Sequence, residues 1–153
     1  MSRREARRHA FALVFQLPFH INSVEDLAQA KKWYYENLET DPDNPTKRPK
    51  GKNADYVDRV VWGVFDKQGQ IDGVIEKFLR DWDIERISKV DLAIMRLSIY
   101  EMLREPDVPL GTAVNESVEI AKEFGTDDSS SFINGVLGNV ARSIQAQGRE
   151  SLG

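Results

Sequence analysis

The amino-acid sequence predicts an all-α protein, and three observations carry that prediction. Apolar residues recur at helical spacing along most of the chain, while alternating, strand-like runs are scarce. Prolines gather between the periodic stretches, at 39–53 and 106–109, where they stop helices. Side chains suited to capping stand at the starts of some stretches, with Ser23 before the second and Thr126 or Asp127 before the last.

The elements follow in order. Residues 3–17, RREARRHAFALVFQL, are good helix formers without glycine, and Pro18 ends the pattern. A second helix runs from the Ser23 cap to about Leu38, with Leu27, Trp33, Tyr34 and Leu38 as its apolar positions. Residues 39–53, ETDPDNPTKRPKGKN, have almost nothing to bury and form an exposed loop. The next segment, Ala54 to Arg80, is periodic from Tyr56 and Val57 through to Phe78 and Leu79. Gly63, Gly69 and Gly73 inside it each cost about 1 kcal/mol relative to alanine, and mark a kink or a close helix crossing. Residues 88–105, SKVDLAIMRLSIYEMLRE, are too densely apolar for a surface helix and belong in the centre of the fold. Two more helices occupy about 110–124 and 127–146, parted by Gly125.

The proline-rich loop and the slack around Asp81 to Asp83 divide the chain into two packed subdomains, about 1–80 and 84–147. Together they form one helical bundle domain over 1–153.

Composition narrows the function. A length of 153 residues suits one domain with its own core, and the 41% apolar and 30% charged content is that of a globular chain. There is no cysteine, which excludes disulfides, thiol nucleophiles and thiolate zinc sites, and there are only two histidines, His9 and His20. No phosphate loop, dinucleotide fingerprint, zinc-protease motif or nucleophile elbow is present. The expectation is a protein with no catalytic residues, no cofactor and no metal, and not an enzyme. Arginines occupy the start of the chain in place of an apolar leader, and no run approaches membrane-spanning length, so a cytoplasmic location with no membrane partner is expected.

The first helix carries the chemistry. At about 100° per residue, Arg3, Arg4, Arg7 and Arg8 span roughly 140° of its surface, and Phe11 and Phe15 fall in the same sector. Ala6, Ala10, Leu13, Val14 and Leu17 gather on the other side, toward a core. Forked guanidinium groups suit phosphate, and aromatic rings beside them suit stacked bases of single-stranded RNA. A solvated charged terminus is the bland alternative, with both phenylalanines in the core. The cluster Lys47, Arg48, Lys50 and Lys52 reads mainly as solubilising charge. Asp127 and Asp128 read as helix-capping carboxylates. Tyr100, Glu101, Asn115 and Asn134 read as buried polar groups that fix packing. His9 lies beside the arginines within reach of RNA, but one histidine on a polar helix is not a site, and His20 follows Pro18 in a turn.

Three stretches resemble the NusB family of bacterial transcription antitermination factors: RREARRHAFALVFQL, WDIERISKVDLAIMRLSIYEML and VPLGTAVNESVEIAKEFGTDDSSSFINGVLGNVAR. The resemblance covers nearly the whole chain. It implies two three-helix subdomains, binding of the boxA element of nascent RNA, and pairing with ribosomal protein S10. It also implies entry into an antitermination complex with RNA polymerase on ribosomal RNA operons. By the resemblance, Arg3, Arg4, Arg7, Arg8 and Phe15 are the RNA-binding residues, Phe15 standing where many members have tyrosine. Phe124, Asp128 and Phe132 fall in a neighbourhood that serves RNA or S10. The alternative is a helical interaction adaptor whose RNA affinity arises only in complex with S10. A third reading, an RNA methyltransferase, lacks any methyl-donor motif.

Overall fold

A computed structural model describes residues 1–43, 47–80 and 83–152. Among them lie α1 (Arg3–Gln16), α2 (Val24–Glu39), α3 (Lys52–Phe78), α4 (Lys89–Arg104), α5 (Leu110–Phe124) and α6 (Ser129–Gln147). Short 3-10 turns stand at Ile84–Arg86 and Arg149–Ser151, and no strand occurs among the described residues. The all-α expectation holds, and the six helices lie where sequence periodicity puts them. Residues 44–46 of the proline-rich loop, and Asp81 and Trp82 of the second break, lie outside the described residues.

The helix starts are fixed by side chains. Ser2 and Glu5 form a reciprocal capping box on α1: Ser2 Oγ accepts from the Glu5 N–H at 3.1 Å, and Glu5 Oε2 accepts from the Ser2 N–H at 3.3 Å. Ser23 caps α2 by accepting from the Asp26 N–H, and Ser88 caps α4 by accepting from the Asp91 N–H, each at 3.1 Å. Each cap satisfies an N–H that the first helical turn leaves without an internal partner.

By compactness the chain forms two units, Met1–Trp62 and Gly63–Gly153. Unit 1 comprises α1, α2 and the first part of α3. It buries Ala6, Ala10, Leu13 and Val14 of α1 and Leu17 just after it, the five positions the helical wheel assigns to a core. Leu27 and Tyr35 of α2 and Tyr56, Val57, Val60 and Val61 of α3 are buried as well. Pro49 is buried, so the described part of the loop before α3 is not solvent-exposed throughout.

Unit 2 is organised on α4. Every residue from Asp91 to Ile99 is buried, together with Glu101 and Met102, as a helix with neighbours on several sides requires. Helices α5 and α6 pack against it and against each other. The second part of α3 crosses α4 at Gly63, where a Cβ would stand 2.1 Å from Tyr100 Cζ. Gly63 therefore marks a close crossing. The kink in α3 falls at Lys67, with φ −109 and ψ 17, and not at a glycine. A forked ion pair also joins α3 to α4, with Arg96 Nε 2.8 Å from Asp72 Oδ1 and Nη2 2.8 Å from Oδ2. Asn115 and Asn134 are exposed, contrary to the buried role expected of them, because each falls on the outward side of its helix. Glu101 is buried as expected, and Tyr100 is half-buried.

Candidate nucleic-acid interface

The arginines of α1 divide into two rows. Arg3 and Arg7, one helical turn apart, face the start of α3, where their Cζ atoms stand 4.2 and 5.6 Å from the centre of the Tyr56 ring. This is a cation–π arrangement, worth more for desolvated groups than for exposed ones. Arg3 Nε also donates to Asn53 Oδ1 at 3.1 Å, and Asn53 Nδ2 donates to the Met1 carbonyl at 2.9 Å. Arg3 stays exposed, whereas Arg7 is only 5% exposed. The second row, Arg4 and Arg8, is exposed and half-buried respectively, and Arg8 Nη1 reaches back to the Arg4 carbonyl at 3.4 Å.

The aromatic side of α1 is graded in the same way. Phe11 is buried, Phe15 is half-buried, and their ring centres are 6.4 Å apart. His9 does not lie on the exposed arginine face. It is 6% exposed, its Nδ1 lies 2.8 Å from the Tyr34 hydroxyl, and its ring meets Tyr34 edge-on at 5.9 Å. Burial holds the imidazole below its ordinary pKa of 6.5, partly opposed by Glu5. Burial also pushes the Tyr34 hydroxyl up to about 12 and raises Tyr35, the latter with help from Asp58 and Tyr34. His9 is thus a core group. The loop cation Arg48 is likewise engaged within unit 1, over the Tyr35 ring at 5.3 Å and paired with Glu39.

Unit 2 holds the second group of sequence-predicted residues. Phe124 closes α5 and is 47% exposed. Asp128 takes the N-cap position of α6, but its backbone is already helical and its side chain makes no capping bond. The capping role expected of Asp127 and Asp128 is not realised. The Ser129 hydroxyl closes the junction instead, accepting from the Thr126 N–H at 2.9 Å. Gly125 is required there, since a Cβ would lie 2.5 Å from Ser129 Cβ and 2.8 Å from the Ala121 carbonyl oxygen.

Asp128 and Phe132 line a cavity of about 240 Å³ with Arg86, Ile87, Ser88, Asp91, Thr126 and Ser129. Phe124 does not line it. Asp91 is the feature that sequence reasoning missed. Its residue is 8% exposed, and its Oδ1 is buried with no hydrogen-bond partner. A buried acceptor without a donor carries a desolvation cost that a bound N–H or O–H group would offset. The cavity therefore offers carboxylate acceptors, hydroxyl groups, the Arg86 guanidinium and one aromatic wall. Among the described residues no group of three or more His, Cys, Asp or Glu side chains is placed to hold a metal ion, and no helix is long and apolar enough to cross a membrane.

Comparison with known proteins identifies the family and the fold. Residues 4–142 match the model of the NusB family. The transcription antitermination protein NusB of Acetivibrio thermocellus is 42% identical over 153 residues, covering 99% of this chain and 97% of that protein. The chain belongs to the NusB family. NusB of Clostridium botulinum strain Loch Maree is 39% identical, covering 92% of this chain and 99% of its own. The solved structure of T. maritima NusB superposes with a TM-score of 0.76 at 31% identity, over 93% of this chain and 92% of that one. The fold is also that of a NusB solved with NusE and double-stranded RNA, at TM-score 0.76 and 20% identity, covering 92% of this chain and 96% of that one.

Proposed function

We propose that this chain is an RNA-binding transcription antitermination factor that takes up boxA-type single-stranded RNA together with ribosomal protein S10. In that role it joins an antitermination complex with RNA polymerase on ribosomal RNA operons, in the cytoplasm, and catalyses no reaction. Membership of the NusB family supports the reading, as does the NusB of the same fold solved with NusE and double-stranded RNA. The observation that carries it at the level of residues is the arginine–aromatic face of α1, where Arg3, Arg4 and Arg8 reach solvent beside Phe15. Arg3, Arg4 and Arg8 would hold phosphates and Phe15 would support a base, while Arg7, packed on Tyr56, sets the position of its neighbours. In unit 2, Asp91 and Asp128 would accept hydrogen bonds from the amino edge of a base lying against Phe132. Phe124, exposed outside that cavity, is assigned to S10.

The reading is tested by fluorescence anisotropy of labelled boxA RNA and of a scrambled RNA, each with and without S10, across a salt series. Preference for boxA that S10 strengthens is the expected result. Equal, salt-sensitive binding to both RNAs refutes sequence-selective recognition.

A second reading, an adaptor whose RNA affinity arises only with S10, is favoured by a different observation. Unit 1 carries an apolar groove lined by Leu13, Val24, Leu27, Val57 and Trp62, in which Val24 is 54% and Trp62 44% exposed. Exposed apolar surface of this kind is a mark of protein contact. Tight S10 binding by the isolated chain, with no measurable RNA binding until S10 is added, would select this reading.

A further inference from the structure

Phe19 stands outside the residues assigned so far. It lies in the turn that follows α1 and is 45% exposed. The turn is built, not loose. The Leu17 N–H donates to the Val14 carbonyl at 3.1 Å, and the Phe19 N–H donates to the Gln16 carbonyl at 2.9 Å. Pro18 stiffens the chain between them, and His20 takes a left-handed φ of 69 that turns the backbone away toward α2. The Phe19 ring is thereby held 5.6 Å from the Phe15 ring.

With Phe19 included, a pattern emerges that the helical wheel of α1 alone leaves incomplete. Positions 3, 7, 11, 15 and 19 form a row of constant step, two arginines followed by three phenylalanines. Four residues advance about 40° around a helix, so the row drifts slowly across one face. Exposure of the rings rises along it, from buried Phe11 through half-buried Phe15 to Phe19.

We propose that Phe19 stacks on a base of the single-stranded RNA whose phosphates run along Arg4 and Arg8, with Phe15 as the ring beneath it. The proposal rests on the RNA-binding reading and extends its contact surface beyond α1. A single strand requires positive charge for its backbone and an accessible π-face for its bases; the neighbouring row, Arg4 and Arg8, supplies the charge, and Phe15 and Phe19 at the end of this row supply the rings. From Arg8 to the end of α1 at Gln16 the helix axis advances about 12 Å, and Phe19 lies beyond that end, which places the base contact on a different nucleotide from the phosphate contacts. An apolar protein surface would complement the ring equally well, but not the guanidinium groups of Arg4 and Arg8 on the helix that precedes it.

The test uses the full chain with S10 and boxA RNA carrying 2-aminopurine at one position at a time. For the parent protein, one position should change its fluorescence on binding. Phe19→Ala should abolish that change and weaken RNA binding by about 5- to 100-fold, the loss that one base–aromatic stack brings. Phe19→Trp should preserve both. The salt dependence of Phe19→Ala should match the parent, since no phosphate contact is removed, whereas Arg8→Ala should flatten it. Because Phe19 is half outside the core, thermal unfolding of Phe19→Ala should stay near the parent. Phe19→Ala binding RNA as tightly as the parent, with the fluorescence change intact, overturns the proposal and leaves the RNA-binding reading standing. A Phe19→Ala chain that loses S10 but keeps RNA assigns the ring to the protein partner and overturns it too. Failure of the parent itself to bind RNA removes the underlying reading and the stack together.

Discussion

Replacing the arginines of α1 one at a time separates the charge that reaches RNA from the charge that holds the helix in place. Arg3, Arg4 and Arg8 are accessible to different degrees, whereas Arg7 is 5% exposed over the Tyr56 ring. Three accessible guanidinium groups, each neutralising one phosphate of a single strand, give a slope of log K against log salt of about −2. Raising salt from about 50 to about 200 mM then weakens binding roughly 20-fold. Arg4→Ala or Arg8→Ala should bring the slope to about −1.4 and the loss over the same interval to about sevenfold. Arg7→Ala should leave the slope near the parent value and act on stability. It removes a buried aliphatic stem and a desolvated cation–π contact, together about 1–3 kcal/mol. For a chain of this size that lowers Tm by roughly 3–10 °C. Anisotropy of boxA RNA across a salt series at fixed S10, paired with thermal unfolding, reads both effects. An Arg7→Ala slope as flat as that of Arg8→Ala, with Tm unchanged, would refute the division into two rows.

Three further outcomes follow from the geometry. Asp91→Ala removes a buried acceptor that has no donor, so the free protein should gain about 1 kcal/mol by urea unfolding while its affinity for boxA RNA falls; a loss of stability with affinity unchanged would count against a ligand-facing role. Asp72→Ala strands the buried Arg96 guanidinium and should cost about 3 kcal/mol, whereas the pair Asp72→Leu with Arg96→Met should recover most of that loss; denaturant midpoints of the three chains decide it. His9 is held neutral by burial, so its folded pKa lies below 6.5 and the unfolded chain takes up the proton first. The stability it contributes is therefore full above about pH 6.5 and declines as pH falls through that value, and His9→Gln should flatten the difference between urea midpoints at about pH 7.5 and about pH 5.5.

The helices were legible because their signals are local. Pro18 and Pro106 stop helices by removing an N–H donor, and the apolar spacing of 88–105 admits only a buried helix. The arginine stripe was legible for the same reason, as were the five core positions in and just after α1. Local rules could not show which arginine would be covered. Arg7 and His9 are buried by Tyr56, Tyr34 and Tyr35, residues 25 to 49 positions away that only folding brings near. The acids at the α5–α6 junction misled differently. Asp127 and Asp128 have the chemistry of caps, but the steric demand at Gly125 gives the junction to Ser129. Asp91 was hidden by an innocent explanation, since an acid three residues after Ser88 reads as favourable first-turn charge. It shares a cavity with side chains from the turn before α4 and from α6, and no spacing rule contains that.

The α5–α6 junction also bears on how tightly the cavity beside it can hold a ligand. Thr126 and Ser129 are bonded to each other, Gly125 leaves no space for a side chain, and Ser88 pins the first turn of α4 on the opposite wall. Association normally loses part of its intrinsic strength to immobilising loops and rotamers. Here hydrogen bonds already hold the backbone on both walls, so in the proposed complex most of that entropic loss would fall on the RNA. Affinity at this cavity should then be limited by how readily a base leaves its neighbours in the free strand, and unstacked sequences should bind faster than structured ones of the same composition.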